Sequence, residues 1–331
     1  MDDLVTRRRF LADGVTCTAH LALAAALAPD AVRRLWAQAR SGAVIATEPF
    51  GRLEQVAEGV WALISTPLGG SFVTVANGGL IAGKSGVLAI EGFMTPKGAR
   101  WLAGKARELT GRWPTHVAVT HYHSDHINGV AAYREEGAKP AMLVTDETRG
   151  AVLGAVLPQV TPADEARREA LAQSVAPGGD PATIDLGGRS VRLVRRRGHT
   201  PSDVTVEVDD PSIVFTGDLV WNAMFPNFVD AMPTALADAT RALRRTRSTT
   251  YVPGHGGVAT DADVGRYLAM LGEVEQAARA AHTRGTPAGE AAAGFALPPA
   301  LGEWALFDKV FFERAFSAWY RELGAGDGAR R

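Results

Sequence analysis

The segment Thr120-His121-Tyr122-His123-Ser124-Asp125-His126 constrains this chain more than any other feature. Three imidazoles and a carboxylate fall within six residues, directly after the apolar run Val117-Ala118-Val119. Such a run reads as a short buried strand. Residues two apart on an extended backbone point the same way, so His121 and His123 are placed to hold one metal. Asp125 and His126 fall where the chain turns towards a helix and are placed to hold a second metal nearby. Burying so many ionisable groups without a partner is costly, so the cluster reads as a metal site rather than as structural histidines.

Three later features complete the set. Gly198-His199-Thr200-Pro201 follows a strand pattern at 190–194. Phe215-Thr216-Gly217-Asp218 closes the pattern at 213–216, and Pro253-Gly254-His255-Gly256-Gly257 follows 250–252. Each places His199, Asp218 or His255 just past a strand's C-terminal end, on a loop that glycine lets turn tightly. Singly, each is an ordinary turn residue. Their order behind the histidine cluster is what makes them ligand candidates. His116 and His282 lack such a setting and read as structural.

Strand patterns also occupy 60–64, 71–75, 79–82, 87–90, 141–145 and 204–208. Helical patterns occupy 95–110, 127–133, 146–174, 234–245, 261–281 and 304–323. Two successive blocks of strands followed by helices argue for an α/β (α+β) chain, a two-sheet sandwich with helices outside. One domain over 40–331, with C-terminal helices, is the expected organisation.

Residues 1–39 read as a targeting segment. Arg7-Arg8-Arg9-Phe10-Leu11 opens an Ala/Leu-rich run, and Ala37-Gln38-Ala39 offers small residues for a signal peptidase. The segment resembles a twin-arginine signal, with Arg7 and Arg8 as the pair. A bacterial periplasmic location, engagement of the export machinery and no stable membrane anchor after cleavage follow as expectations. The one cysteine, Cys17, lies inside that segment. The mature chain then has no thiol, and any metal must rest on histidine and carboxylate alone. A formal net charge of −1 gives no footprint for nucleic acid, so the expected partner is a small-molecule substrate.

The order His-x-His-x-Asp-His, then His, Asp and His, resembles the metallo-β-lactamase-fold superfamily. The resemblance implies an αββα sandwich with the site at one edge, between the sheets. It assigns His121, His123 and His199 to a first metal, Asp125, His126 and His255 to a second, and Asp218 to both. Glu91 stands where many relatives place an Asp that hydrogen-bonds the metal loop, and its extra length is a departure. A bridging Asp at 218 is a feature of glyoxalase II-like thioesterases and lactonases, whereas well-known β-lactamases of this fold have Cys there or lack the bridge.

The expected activity is therefore metal-dependent hydrolysis of a small ester, thioester or lactone, with the metals activating the attacking water and Asp125 orienting it. Two zinc ions suit the donors best, with iron and manganese as alternatives. A β-lactamase, an iron-dependent oxidoreductase of the same fold and a non-catalytic periplasmic binding accessory are the competing functions. Trp221, Asn222, Met224 and Phe225 follow Asp218 closely. They read either as a wall of the substrate pocket or as packing beneath the last helix.

Overall fold

The computed structural model describes residues 42–157 and 159–328. The targeting segment expected over 1–39 lies outside the described residues. Among the described residues, twelve strands form two sheets. The first contains β1 (Ala43–Glu48), β2 (Gly51–Ala57), β3 (Val60–Ser65), β4 (Gly78–Ala82), β5 (Val87–Ile90), β6 (His116–Ala118) and β7 (Ala141–Leu143), in that spatial order. Pairing is antiparallel from β1 to β5, then parallel to β6 and β7. The second runs β12 (Thr250–His255), β11 (Ile213–Trp221), β10 (Asp203–Val208), β9 (Ser190–Arg196) and β8 (Ala182–Asp185). Only its β11–β12 pair is parallel.

Alternation along the strands builds the layers. On β3, Val60, Ala62 and Ile64 face the second sheet, where they meet Val204, Val206, Ile213 and Phe215. Trp61 and Leu63 face the other way, onto Leu102 and Ala106 of α1 (Pro96–Thr110). The outer face of the second sheet carries Val214 and Tyr251, which pack with residues of four helices. These are α5 (Pro233–Leu243), α6 (Asp261–Thr283), α7 (Ala288–Ala293) and α8 (Val310–Gly328). Strands buried on both faces read as continuous apolar runs, as β3 does along its length and β11 does on either side of Thr216-Gly217-Asp218. The result is helix, sheet, sheet, helix, as expected.

Local chemistry sets the element ends. Helix α1 starts with Pro96 after Thr95 and stops at Gly111, which takes φ 73. Capping boxes open α4 (Pro162–Ala172) through Thr161 and Asp164, and α6 through Thr260 and Asp263. Helix α3 (Asp146–Gly154) precedes α4, so the helical reading of 146–174 holds as two helices.

Several expectations need correction. Residues 71–75 form no strand. They are an irregular loop in which Val75 takes φ 66, and its apolar side chains serve a core rather than a pleat: Phe72 and Val75 pack against the helical layer. Strands β1, β2 and β8 were not anticipated. β1 is mostly exposed, β2 carries Arg52, Glu54 and Gln55, and β8 alternates over only four residues, so none gives a strand signal long enough to read. The expected helix at 127–133 begins earlier, as α2 (Ser124–Ile127), and gives way to a 3-10 stretch over Val130–Gly137. The last helix begins at Val310 rather than near 304, because Ala305 is held extended by backbone bonds to Ala223 and Phe225. Among the described residues, no helix is long and apolar enough to cross a membrane.

Candidate metal centre

Strand β6 ends at Ala118, and the chain delivers His121 and His123 before α2 begins. His123 caps that helix, and its first turn presents Asp125 and His126 inward. His199 comes from the turn between β9 and β10, which Asp203 fastens by accepting from the His199 and Thr200 amides. Asp218 and His255 lie within β11 and β12 rather than past their ends. The parallel pairing continues through register shifts around Gly217. Two glycines make room here. Gly217 takes φ 53 against Thr120, and a Cβ on Gly254 would stand 1.9 Å from Asp218 Oδ1.

All seven sequence-derived ligand candidates converge, and they do so in two groups. His121, His123, His199 and Asp218 form one group, and Asp125, His126 and His255 the other. Within each group the potential ligand atoms lie within 4.8 Å of one another. His123 Nδ1 is 3.1 Å from His121 Nε2 and 3.0 Å from His199 Nε2. Asp218 divides itself between the groups. Its Oδ2 lies 3.2 Å from His199 Nε2 and 3.9 Å from His121 Nε2. Its Oδ1 lies 3.2 Å from His126 Nε2 and 3.4 Å from His255 Nε2. Asp125 Oδ2 closes the second group, 3.3 Å from His255 Nε2.

These residues fit metal ions. Tetrahedral zinc with bonds of about 2.0–2.1 Å holds neighbouring ligand atoms about 3.3 Å apart, and the separations bracket that value. His126 Nε2, His255 Nε2 and Asp218 Oδ1 are buried and lack hydrogen-bond partners. Orphaned polar atoms that face a common point are what a cation site requires. Side-chain exposure reaches 17% at His123 and 8% at Asp125, but at most 3% for the rest, so the centre opens on those two.

Electrostatics agrees. Burial, reinforced by His126 and His123, pushes His121 well below the usual imidazole range. Burial likewise lowers His199, to about 3. Both rings are neutral at pH 7 and offer lone pairs. At His255 burial pulls down, but Asp218 and Asp125 outweigh it and lift the ring to about 9. Burial opposes ionisation of Asp218, yet His255, His126 and His199 hold it well below the carboxylate range. The second group therefore carries negative charge that a cation must balance, whether proton or metal.

Glu91 reaches the metal loop despite its extra length. It accepts from Thr120 Oγ1 at 2.6 Å and lies 3.0 Å from His126 Nδ1, with its own backbone at φ 75. Besides Asp203, two further supporting residues escaped the sequence reading. Asp230 Oδ2 lies 3.0 Å from His123 Nε2 and accepts from Tyr122 at 3.1 Å. Asn77 donates to the carbonyls of Pro253 and Gly256, either side of His255, and accepts from the Ser65 amide. Neither sits in a recognisable motif. Only the tertiary fold brings them to the ligands.

The residues after Asp218 are placed as follows. Trp221 stacks on His255 with ring centroids 3.9 Å apart. Asn222 donates to Gly257 and Val258, and its amide donates to the His255 carbonyl. Met224 and Phe225 are buried in the helical-layer core, with Phe225 set edge-on against Phe312 at 4.7 Å.

Comparison with known proteins agrees with this geometry. Residues 72–255, more than half of the chain, match the family model described as the metallo-beta-lactamase superfamily. A hydroxyacylglutathione hydrolase from Rhodopseudomonas palustris (strain BisB18) is 28% identical over 127 residues. That alignment spans 38% of this chain and 41% of the relative, so well under two thirds of the relative's length is matched. Among solved structures, a metallo-beta-lactamase from Pontibacter korlensis superposes with a TM-score of 0.54 at 21% identity. It covers 66% of this chain and 98% of its own. A stereoselective inverting sec-alkylsulfatase from Pseudomonas sp. superposes at 0.60 with 18% identity, over 81% of this chain and 49% of its own. At those identities the likeness is one of fold. With its metal-binding His/Asp cluster in place, the chain belongs to the metallo-beta-lactamase superfamily, a family of hydrolases.

Proposed function

We propose that this protein hydrolyses a small ester, thioester or lactone with two bound metal ions, for which zinc is the best chemical match. One observation carries the reading: the two oxygens of Asp218 face different ligand groups. A carboxylate so divided holds two cations together against their repulsion. When bound, such ions polarise a scissile carbonyl and lower the pKa of a shared water.

The chain's own residues do the rest. Asp125 lies on the open side and accepts a hydrogen bond from the attacking water, orienting it as well as ligating. Trp221, lying on His255, forms one wall of the substrate site. Asn222, Met224 and Phe225 hold that wall in place. With no thiol among the ligands, iron and manganese remain the competitors, and elemental analysis separates them. The relative named a hydroxyacylglutathione hydrolase supports cleavage of an acyl substrate.

The decisive experiment is a panel of esters, thioesters, lactones and lactams presented to protein of defined metal content. Turnover of one of the first three classes with about two zinc ions per chain is expected. Lactam turnover would make it a β-lactamase, and iron with visible absorbance would make it a redox enzyme. No turnover in the two-metal protein would make it a binding accessory. The Arg7-Arg8 pair supports periplasmic export by the twin-arginine route. Arg7→Lys with Arg8→Lys is expected to retain the protein in the cytoplasm, and undiminished export of that variant overturns the assignment.

A further inference from the structure

The loop between β11 and α5 does more than connect them. Asp230 sits on it, 3.0 Å from the ring nitrogen of His123 that faces away from the first ligand group. A few residues on, the Met232 amide donates to the carbonyl of Gly198, next to His199. The loop thus touches the neighbourhoods of two ligands of the same group. It is fastened from behind by the C-terminal helix. Arg314 of α8 donates to Asn227 Oδ1 at 3.1 Å, and Arg321 donates to the Val229 carbonyl at 3.4 Å. Glu322 accepts from both the amide and the hydroxyl of Thr234. These contacts flank Asp230 on both sides in sequence.

We propose that Asp230 is a positioning residue for the first metal group, and that α8 sets its position through this loop. The chemistry is direct. His123 presents Nδ1 to the other ligands, so Nε2 must carry the proton. That N–H donates to Asp230 Oδ2, which fixes the tautomer, orients the ring and raises the basicity of Nδ1. Tyr122, whose ring packs edge-on against His123, donates to the same oxygen and keeps the carboxylate from swinging away. The helix sequence thereby reaches a metal ligand through one loop, although α8 itself contributes no ligand among the described residues.

The inference rests on the two-group metal reading but not on the choice of substrate. The test measures metal affinity by chelator competition, and the visible spectrum of the cobalt-loaded protein. Wild-type uptake of two cobalt ions secures the underlying reading first, and failure there would strike that reading instead. Asp230→Ala is expected to weaken one ion by roughly 10–100-fold, leave the other unchanged and shift the cobalt spectrum. Asp230→Asn keeps an acceptor oxygen, so a smaller loss is expected, and this variant carries the test if the alanine protein does not fold. Arg314→Ala should weaken the same ion by about 3-fold to 10-fold. Wild-type affinities and spectrum in folded Asp230→Ala, or in Asp230→Asn where the alanine form fails, overturn the proposal. Normal affinity in Arg314→Ala beside a defect at Asp230 overturns the part assigned to the helix.

Discussion

The two ligand groups are built alike but braced differently. Around His121, His123 and His199 the supports are Thr120, Asp203 and a carboxylate on a loop, Asp230, reached from the open side. Around Asp125, His126 and His255 the supports are Glu91, which is fully buried, together with Asn77 and the face of Trp221. The second group is held by the inner strands and the junction between the sheets. The first group shares that kind of bracing through Thr120 and Asp203 but adds, at His123, a loop fastened by the C-terminal helix. The difference between the halves therefore lies at His123, whose partner Asp230 comes from a loop rather than from a strand.

Asp218→Asn should break the comparison most severely, because Asp218 belongs to both groups. The amide keeps the size but loses the charge and one ligating oxygen. Activity is expected to fall by roughly 10²-fold or more, with one ion lost. Metal analysis and steady-state kinetics check this together. A folded variant with both ions and near-normal turnover would remove Asp218 from its bridging role.

Glu91→Gln comes next and sharpens the contrast. It removes charge beside His126 while leaving a side chain able to accept from Thr120. The affinity for one ion should drop about 10–100-fold while the other is unchanged. The ion affected should differ from the one that Asp230 variants loosen. Chelator titration of both variants decides it, and equal loss of both ions in each would show that the groups are not separately supported.

Asn77→Ala tests the junction. It strands the carbonyls of Pro253 and Gly256 and the amide of Ser65 without their partner. A stability loss of about 1–3 kcal/mol in chemical denaturation is expected. Trp221→Phe should have the smallest effect, because an aromatic face remains over His255. A change of at most about 1 kcal/mol is expected by the same measurement, with metal content intact. A loss of metal in Trp221→Phe would assign the indole a larger part in fixing His255.

Much of the centre was legible because ligands must sit in tight local patterns. His121 through His126 occupy one short connection after β6 and one helix turn, so their spacing alone carried the chemistry. His199, Asp218 and His255 were legible because each is framed by glycine or proline next to an apolar run. Among the supports, Glu91 was legible through the family resemblance, whereas Asn77, Asp203 and Asp230 were not. Asn77 meets its partners across 176 and 179 residues, and Asp230 meets His123 across 107. A side chain that acts by tertiary contact leaves no periodic mark. The mistaken strand at 71–75 has the same origin, since Phe72 and Val75 are apolar for the sake of the distant helical layer. Likewise β2 escaped notice because Glu54, though buried, answers Arg52 in a way that hides the strand's alternation.

Ions entering or leaving this centre have one side to use. His123 and Asp125 keep a solvent face, while the side chains of the remaining ligands are buried. A chelator therefore meets only the rim, and complete stripping waits on local opening of the chain. Residence times at such a centre follow protein motion rather than bond strength alone. Ions bound there would leave slowly, at a rate set by that opening.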